Sequence, residues 1–165
     1  MEELEQVYKE IHPKLFTFFY LKISNTATAE DLTQDVFYEA SKSLHRFQGH
    51  STLSTWLFSI AHNLLKKHYR SKKYERAMVE NLEAAPPAGG PTIEQMVELK
   101  EEVQRLRAAI EKLDSQASEI VLLRIYGELS FKEIGQLTGR SENYVRVAFH
   151  RLKNGLQKEM RDLHE

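Results

Sequence analysis

The sequence predicts an all-α protein of two small helical domains joined by a flexible linker. Three observations lead there. Apolar residues recur at three- and four-residue steps along most of the chain. No alternating run bounded by turn residues argues for a strand. The stretch NLEAAPPAGGP, Asn81 to Pro91, gathers three of the four prolines and two of the seven glycines with almost no large apolar side chain, which is linker composition. The expected division is residues 1–78, a linker over 79–92, and residues 93–165. At 165 residues and 41% hydrophobic content, the chain has enough apolar material for a real core.

Taken in order, Leu4, Val7, Tyr8, Ile11, Leu15, Phe18 and Phe19 line one side of a first helix, which Pro13 is expected to kink or restart. Thr28 with Asp31 three residues on reads as a capping box for a second helix, with an apolar stripe of Leu32, Val36, Ala40 and Leu44. A third helix runs from about Leu53, with Trp56, Leu57, Ile60, Ala61 and Leu64 inward. Beyond the linker, Ile93, Met96, Val97, Val103, Leu106, Ile110 and Leu113 mark a long amphipathic helix. Asp114 and Ser115 restart the chain for the apolar run EIVLLRIY, with Gly127 as the expected helix C-cap. Ser130 and Glu133 then form a second capping box over a short helix carrying Ile134 and Leu137. Thr138, Gly139 and Arg140 make a tight turn. Ser141 N-caps a last helix whose inward positions are Val145, Phe149, Leu152, Leu156 and Met160. Two short helices joined by a glycine turn, the second longer and basic, form a helix-turn-helix pattern.

Composition narrows the function. No run approaches the roughly 18 apolar residues of a membrane span, and the N-terminus MEELEQVYKEIHPKL is acidic rather than a leader. The chain is therefore expected to be soluble and not exported. It has no cysteine, so neither a disulfide framework nor a thiolate metal site is available. The formal net charge of -1 hides an uneven distribution. Between Met1 and Ala40 the acids Glu2, Glu3, Glu5, Glu10, Glu30, Asp31, Asp35 and Glu39 face only Lys9, Lys14 and Lys22. Between Lys66 and Arg76, six cations stand against Glu75 alone. An acidic face and a basic face imply two different partners.

The residue types suggest what those partners are. The last helix turns Asn143, Tyr144, Arg146, Val147, His150 and Arg151 away from the core set. Asn and Arg can pair with base edges, Val147 can meet a thymine methyl group, and Arg151 and Lys153 suit phosphates. Gln48, Gly49, His50, Ser51, Thr52 and Ser54, ahead of the Trp56 helix, offer hydroxyls, amides and an approachable backbone. Asn63, Lys66, Lys67 and Arg70 follow on that helix's polar side. A pocket for an unstacked base beside a cationic track needs these groups; the simpler alternative is a polar connection, with Trp56 as core. The helix AEDLTQDVFYEA exposes Asp31, Gln34, Asp35 and Tyr38, either as a solvated face or as a docking surface for a basic partner. Catalysis finds little support. The seven histidines show no metal-ligand spacing, there is no Gly-rich phosphate loop, and no metal, cofactor or small-molecule substrate is expected.

In combination, AEDLTQDVFYEASKSLHRFQGHSTLSTWLFSIAHN, the Pro/Gly stretch and LLRIYGELSFKEIGQLTGRSENYVRVAFHRLK resemble the extracytoplasmic function (ECF) sigma factors, the smallest class of the sigma-70 family. The resemblance covers nearly the whole chain. It implies an alternative sigma factor that binds the beta-prime and beta subunits of bacterial core RNA polymerase, recognises the minus-35 and minus-10 promoter elements, and assists strand opening. The polymerase-binding motif falls on Asp31, Leu32, Gln34, Asp35, Val36 and Phe37. Gly49 to Leu53 correspond to the loop that captures a flipped minus-10 base, with Gln48 and Ser54 beside it as further minus-10 residues, and Asn63, Lys66, Lys67 and Arg70 to the strand contact. Arg140, Ser141, Glu142, Asn143, Tyr144, Arg146, Val147, His150, Arg151 and Lys153 correspond to the minus-35 reader. The resemblance further implies an anti-sigma partner and a cytoplasmic location, free or held at the membrane's inner face by that partner. Lys67, Tyr144 and Ala148 depart from the family's usual acid, small threonine and base at those positions.

Two other classes fit parts of the pattern. A ligand-responsive regulator would bind symmetric duplex half-sites without polymerase. A helical adaptor binding only proteins would show no salt-dependent affinity for DNA.

Overall fold

The computed structural model describes residues 2–79 and 101–162. Over these residues the chain is helical, with α1 (Glu2–Ile23), α2 (Thr26–Ser43), a 3-10 turn (Leu44–Arg46), α3 (Leu53–Val79), α4 (Glu101–Glu111), α5 (Ser115–Ile125), α6 (Phe131–Thr138) and α7 (Glu142–Asp162). The expected all-α class is met, with no strand among the described residues. The stretch Asn81 to Pro91, and Ile93, Met96 and Val97, lie outside the described residues. No described helix is long and apolar enough to cross a membrane.

In the first half, α1 and α3 pack on α2. Ile11, Leu15, Phe18 and Phe19 of α1 are buried against Leu32, Val36 and Ala40 of α2 and Leu57, Phe58, Ala61 and Leu65 of α3. Phe58 meets Phe18 edge-on at 5.7 Å between centroids, a favoured aromatic geometry. Pro13 does not restart α1, which runs through it. A helix-interior proline removes one backbone bond at a cost of about 3 kcal/mol, and the flanking buried side chains offset this. The start of α2 also departs from expectation. Asn25 is its N-cap, its side-chain oxygen accepting from the Thr28 N–H at 2.9 Å, so Thr28 and Asp31 lie inside the helix. Leu44 leaves the apolar stripe and is 39% exposed in the 3-10 turn.

In the second half the N-caps fall as expected. Asp114 accepts from the Ala117 N–H at 2.7 Å, Ser130 and Glu133 exchange both bonds of a capping box, and Ser141 accepts from the Tyr144 N–H at 3.1 Å. Gly139 closes α6 at φ 72°, left-handed backbone that glycine adopts without strain. Gly127 is not such a cap. Tyr126 ends α5, and Glu128 takes the positive φ of 55°. Gly127 serves close packing instead: a Cβ there would lie 2.7 Å from both the Leu123 carbonyl oxygen and Leu129 Cδ1, and 3.1 Å from Phe58 Cδ1.

The two halves are packed together. α1 lies on α4 and α5, and buried residues of both halves join in one cluster.

Candidate functional site

Three surfaces carry the residues singled out in the sequence. On α2, Asp31, Gln34, Asp35 and Tyr38 are exposed along one side. Gln34 Nε2 donates to Glu30 Oε1 at 3.3 Å, and His12 Nε2 lies 3.5 Å from the same oxygen. The other members of the motif sit differently. Leu32 and Val36 are in the core, and Phe37 is half-buried, its ring 4.7 Å from Tyr8 and 6.2 Å from His12 between centroids. The acidic side chains are therefore available to a partner, while Leu32, Val36 and Phe37 hold the helix that presents them.

The second surface surrounds Trp56. Gly49 adopts φ 73°, with nothing within 4 Å of where a Cβ would stand, so the loop backbone there is open to approach. Gln48 and His50 join their side chains at 2.9 Å. Thr52 is committed to structure: its hydroxyl oxygen accepts from the Thr55 N–H at 3.1 Å, which caps α3. Ser54 lies in the first turn of α3 rather than in the loop. Trp56 is half-buried rather than core, its ring 5.1 Å from Phe47. Its indole lines two cavities. One, of about 450 Å³, holds His50, Ser51, Thr55 and Ser59 opposite α6; the other, of about 360 Å³, holds Glu39, Ser43, Asn63 and Lys67. Tertiary structure thus brings the loop, Trp56, Asn63 and Lys67 together around one ring. Lys66 turns to a different cavity, shared with α5 and α6, and Arg70 is exposed beyond it. Sequence reading missed Glu39, Ser43, Phe47 and Ser59. An aromatic nine residues before Trp56 was the available signal for Phe47; Glu39 and Ser43 arrive from another helix and left none.

The third surface is α7. Arg140, Ser141, Glu142, Asn143, Tyr144, Arg146, Val147, His150, Arg151 and Lys153 are all exposed, while Val145 and Phe149 anchor the helix from beneath. Several long side chains are already fixed. Arg140 donates to Gln116 Oε1 at 3.1 Å and lies 5.0 Å from the Tyr144 ring centroid. Arg146 donates to Glu142 Oε1 at 2.9 Å and stands 5.7 Å from the Phe131 ring, whose centroid lies 4.4 Å from Arg124. Fixing a guanidinium before contact reduces the rotamer entropy lost on binding. Tyr144 lies on the exposed side of α7, with Arg140 over its ring, whereas Ala148 is half-buried against the core.

Charge and burial at the junction of the halves complete the geometry. Lys22 has its pKa lowered, mainly because burial disfavours its charged form, against the opposing pull of Glu119 and Asp114. Tyr69 is pushed up to about 12 by burial of its hydroxyl end and secondarily by Glu119. The residue as a whole is 37% exposed, while its hydroxyl donates to the Lys22 carbonyl oxygen at 3.4 Å. Among the described residues no group of three His, Cys, Asp or Glu could hold a metal ion.

Both halves of the chain match known proteins. The sigma-70 region 2 family model matches residues 7–74 and the sigma-70 region 4 model matches residues 103–154. The chain is 30% identical to the RNA polymerase sigma factor YlaC of Bacillus subtilis, covering 96% of this chain and 92% of the relative. It is also 30% identical to the ECF RNA polymerase sigma factor SigW of the same organism, over 98% of this chain and 89% of that one. Among solved structures, the sigma factor RpoE of Bartonella quintana, crystallised with the anti-sigma factor NepR, shares the fold at a TM-score of 0.74 and 22% identity, over 98% of each chain. With matched regions on both sides of Asn81–Pro91 and relatives aligned nearly end to end, the chain belongs to the sigma-70 family of RNA polymerase sigma factors, in its ECF class.

Proposed function

We propose that this chain, a sigma factor that binds core RNA polymerase and recognises promoters, does so through the three surfaces described above. Residues 1–78 serve as the polymerase-docking and minus-10 domain, residues 93–165 as the minus-35 domain, and 79–92 as the connection between them. Asp31, Gln34 and Asp35 face a basic surface of the polymerase, held out by Leu32, Val36 and Phe37. Gln48 to Ser51, with Trp56, Asn63 and Lys67, receive an unstacked minus-10 base, and Lys66 and Arg70 follow the phosphates. Capturing one base supplies a few kcal/mol, which favours strand separation once the duplex has been positioned. Arg140, Asn143, Tyr144, Arg146, Val147 and His150 meet bases of the minus-35 element, with Arg151 and Lys153 on phosphates.

The chain acts by binding alone, as a non-enzymatic initiation factor of the cytoplasm. An anti-sigma protein is a further partner, in line with the anti-sigma factor crystallised with the Bartonella sigma factor. The observation that carries this reading is the division of labour on α2, where the acids are exposed and the apolar motif residues are buried. Asp35→Arg places like charge against a basic partner. It should abolish retention of core polymerase in a pull-down while leaving helical content unchanged by circular dichroism. Undiminished retention would remove the acidic helix from the assignment.

A further inference from the structure

Phe131, the first residue of α6, lies against the side of α7 that carries Arg146 and His150. It follows its N-cap Ser130 directly, so the capping box of Ser130 and Glu133 fixes the backbone from which its ring projects. The residue is half-buried and packs on the core. Phe149, on the buried side of α7, has its ring 5.6 Å away between centroids. The His150 ring stands 5.9 Å away, inclined at 64°. The guanidinium carbons of Arg124 and Arg146 lie 4.4 Å and 5.7 Å from the Phe131 centroid, both within reach of the attraction between a cation and an aromatic face. Arg124 is tied down from within the domain, its Nη1 donating to the Leu129 carbonyl oxygen at 2.8 Å.

A ring that only filled the core would meet buried partners. Arg146 and His150 are exposed instead, and they stand four residues apart, one turn along the same side of α7. Arg146 is held at a second point, its Nη2 donating to Glu142 Oε1 at 2.9 Å. The carboxylate alone would leave the guanidinium free to turn about that bond; the ring beside it restricts the plane. A guanidinium carries five N–H donors in one plane, so one given to Glu142 leaves a pair for a base edge.

We infer that Phe131 is a positioning residue for promoter reading, which sets the plane of the Arg146 guanidinium beside His150 and thereby governs base choice rather than strength of binding. The inference rests on the three-surface reading, in which Arg146 and His150 meet bases of the minus-35 element. Its physical reason is the alternative open to a freed arginine. Phosphates border the major groove, and a long cation that is not held over a base edge pairs with them instead. Such a contact keeps affinity and salt dependence but carries no sequence information.

The test uses holoenzyme assembled from core polymerase and the full chain. Promoter DNA is selected from a library randomised at the minus-35 positions, and binding is then measured with each of those base pairs replaced in turn. Arg146→Ala identifies the base pair that Arg146 reads, as the one at which preference is lost. Phe131→Leu keeps an apolar side chain at the start of α6 but no ring. It should lower discrimination at that base pair by roughly three- to tenfold, the scale of one cation–aromatic contact, with the slope of affinity against salt unchanged. Phe131→Tyr retains the ring and should keep the parent's discrimination. In an Arg146→Ala background, Phe131→Leu should have no further effect at that base pair. If Phe131→Leu does not fold by circular dichroism, Phe131→Met takes its place. Full discrimination by the variant without a ring, loss of discrimination in Phe131→Tyr, or an equal further loss with Arg146 already removed would overturn the positioning role. Unaltered preference at every minus-35 base pair in Arg146→Ala would overturn instead the reading of α7 on which the inference rests.

Discussion

Tyr69 shows how one side chain reports on the whole junction. Its ring is partly exposed, yet its hydroxyl is turned inward onto the Lys22 carbonyl, and its pKa is raised to about 12. A phenol with a raised folded pKa contributes stability that is fully present below its ordinary value near 10 and is lost as pH rises through about 12. Phenolate absorbance should therefore show a tyrosine titrating near 12 that disappears in Tyr69→Phe. A midpoint near 10 in the parent would mean that the hydroxyl is not held inward. None of this was legible in the sequence. Tyr69 sits within a run of cations, and only the packing of α5 on its hydroxyl end separates it from them.

Among the elements, the helix-turn-helix was the most legible and α2 the least. The turn after α6 is written locally: Ser130 and Glu133 open the helix, Gly139 closes it, and Ser141 opens the next. Each signal lies within a few residues of the group it satisfies. Gly135 carries a further constraint that spacing does not reveal. Its carbonyl accepts from the Arg140 N–H at 2.9 Å, and a Cβ at this position would stand 2.5 Å from the Arg140 carbonyl oxygen. Gly135→Ala should cost about 1–3 kcal/mol by overpacking. A lowered melting temperature and weakened minus-35 binding, with polymerase retention intact, would locate the damage in the turn. Unaltered stability would mean that the turn yields easily. The start of α2 was misread because Asn25 and Thr28 are both competent caps, and the choice depends on where α1 ends. At Pro13 the helix does not restart for a related reason, since local propensity yields to the buried side chains on either side of it.

Across the whole molecule, the halves share one continuous cluster of buried residues together with the polar junction. Such coupling makes unfolding cooperative. Scanning calorimetry of the parent should give a single transition, and Lys22→Glu should divide it in two as the halves uncouple. Two transitions in the parent would show that the junction contributes little at equilibrium. The sequence by itself determined the all-α class, both matched regions, the caps around α7 and the polarity of the three surfaces. Each of these depends on periodicity or on partners a few residues apart. Only the tertiary structure decided that Trp56 joins the loop to Asn63 and Lys67, that Gly127 makes room for Phe58, and that Lys22, Arg107 and His62 hold the halves together. Those contacts join residues far apart in the chain, and side chains that look like ordinary surface in sequence gain their roles when a distant helix covers them.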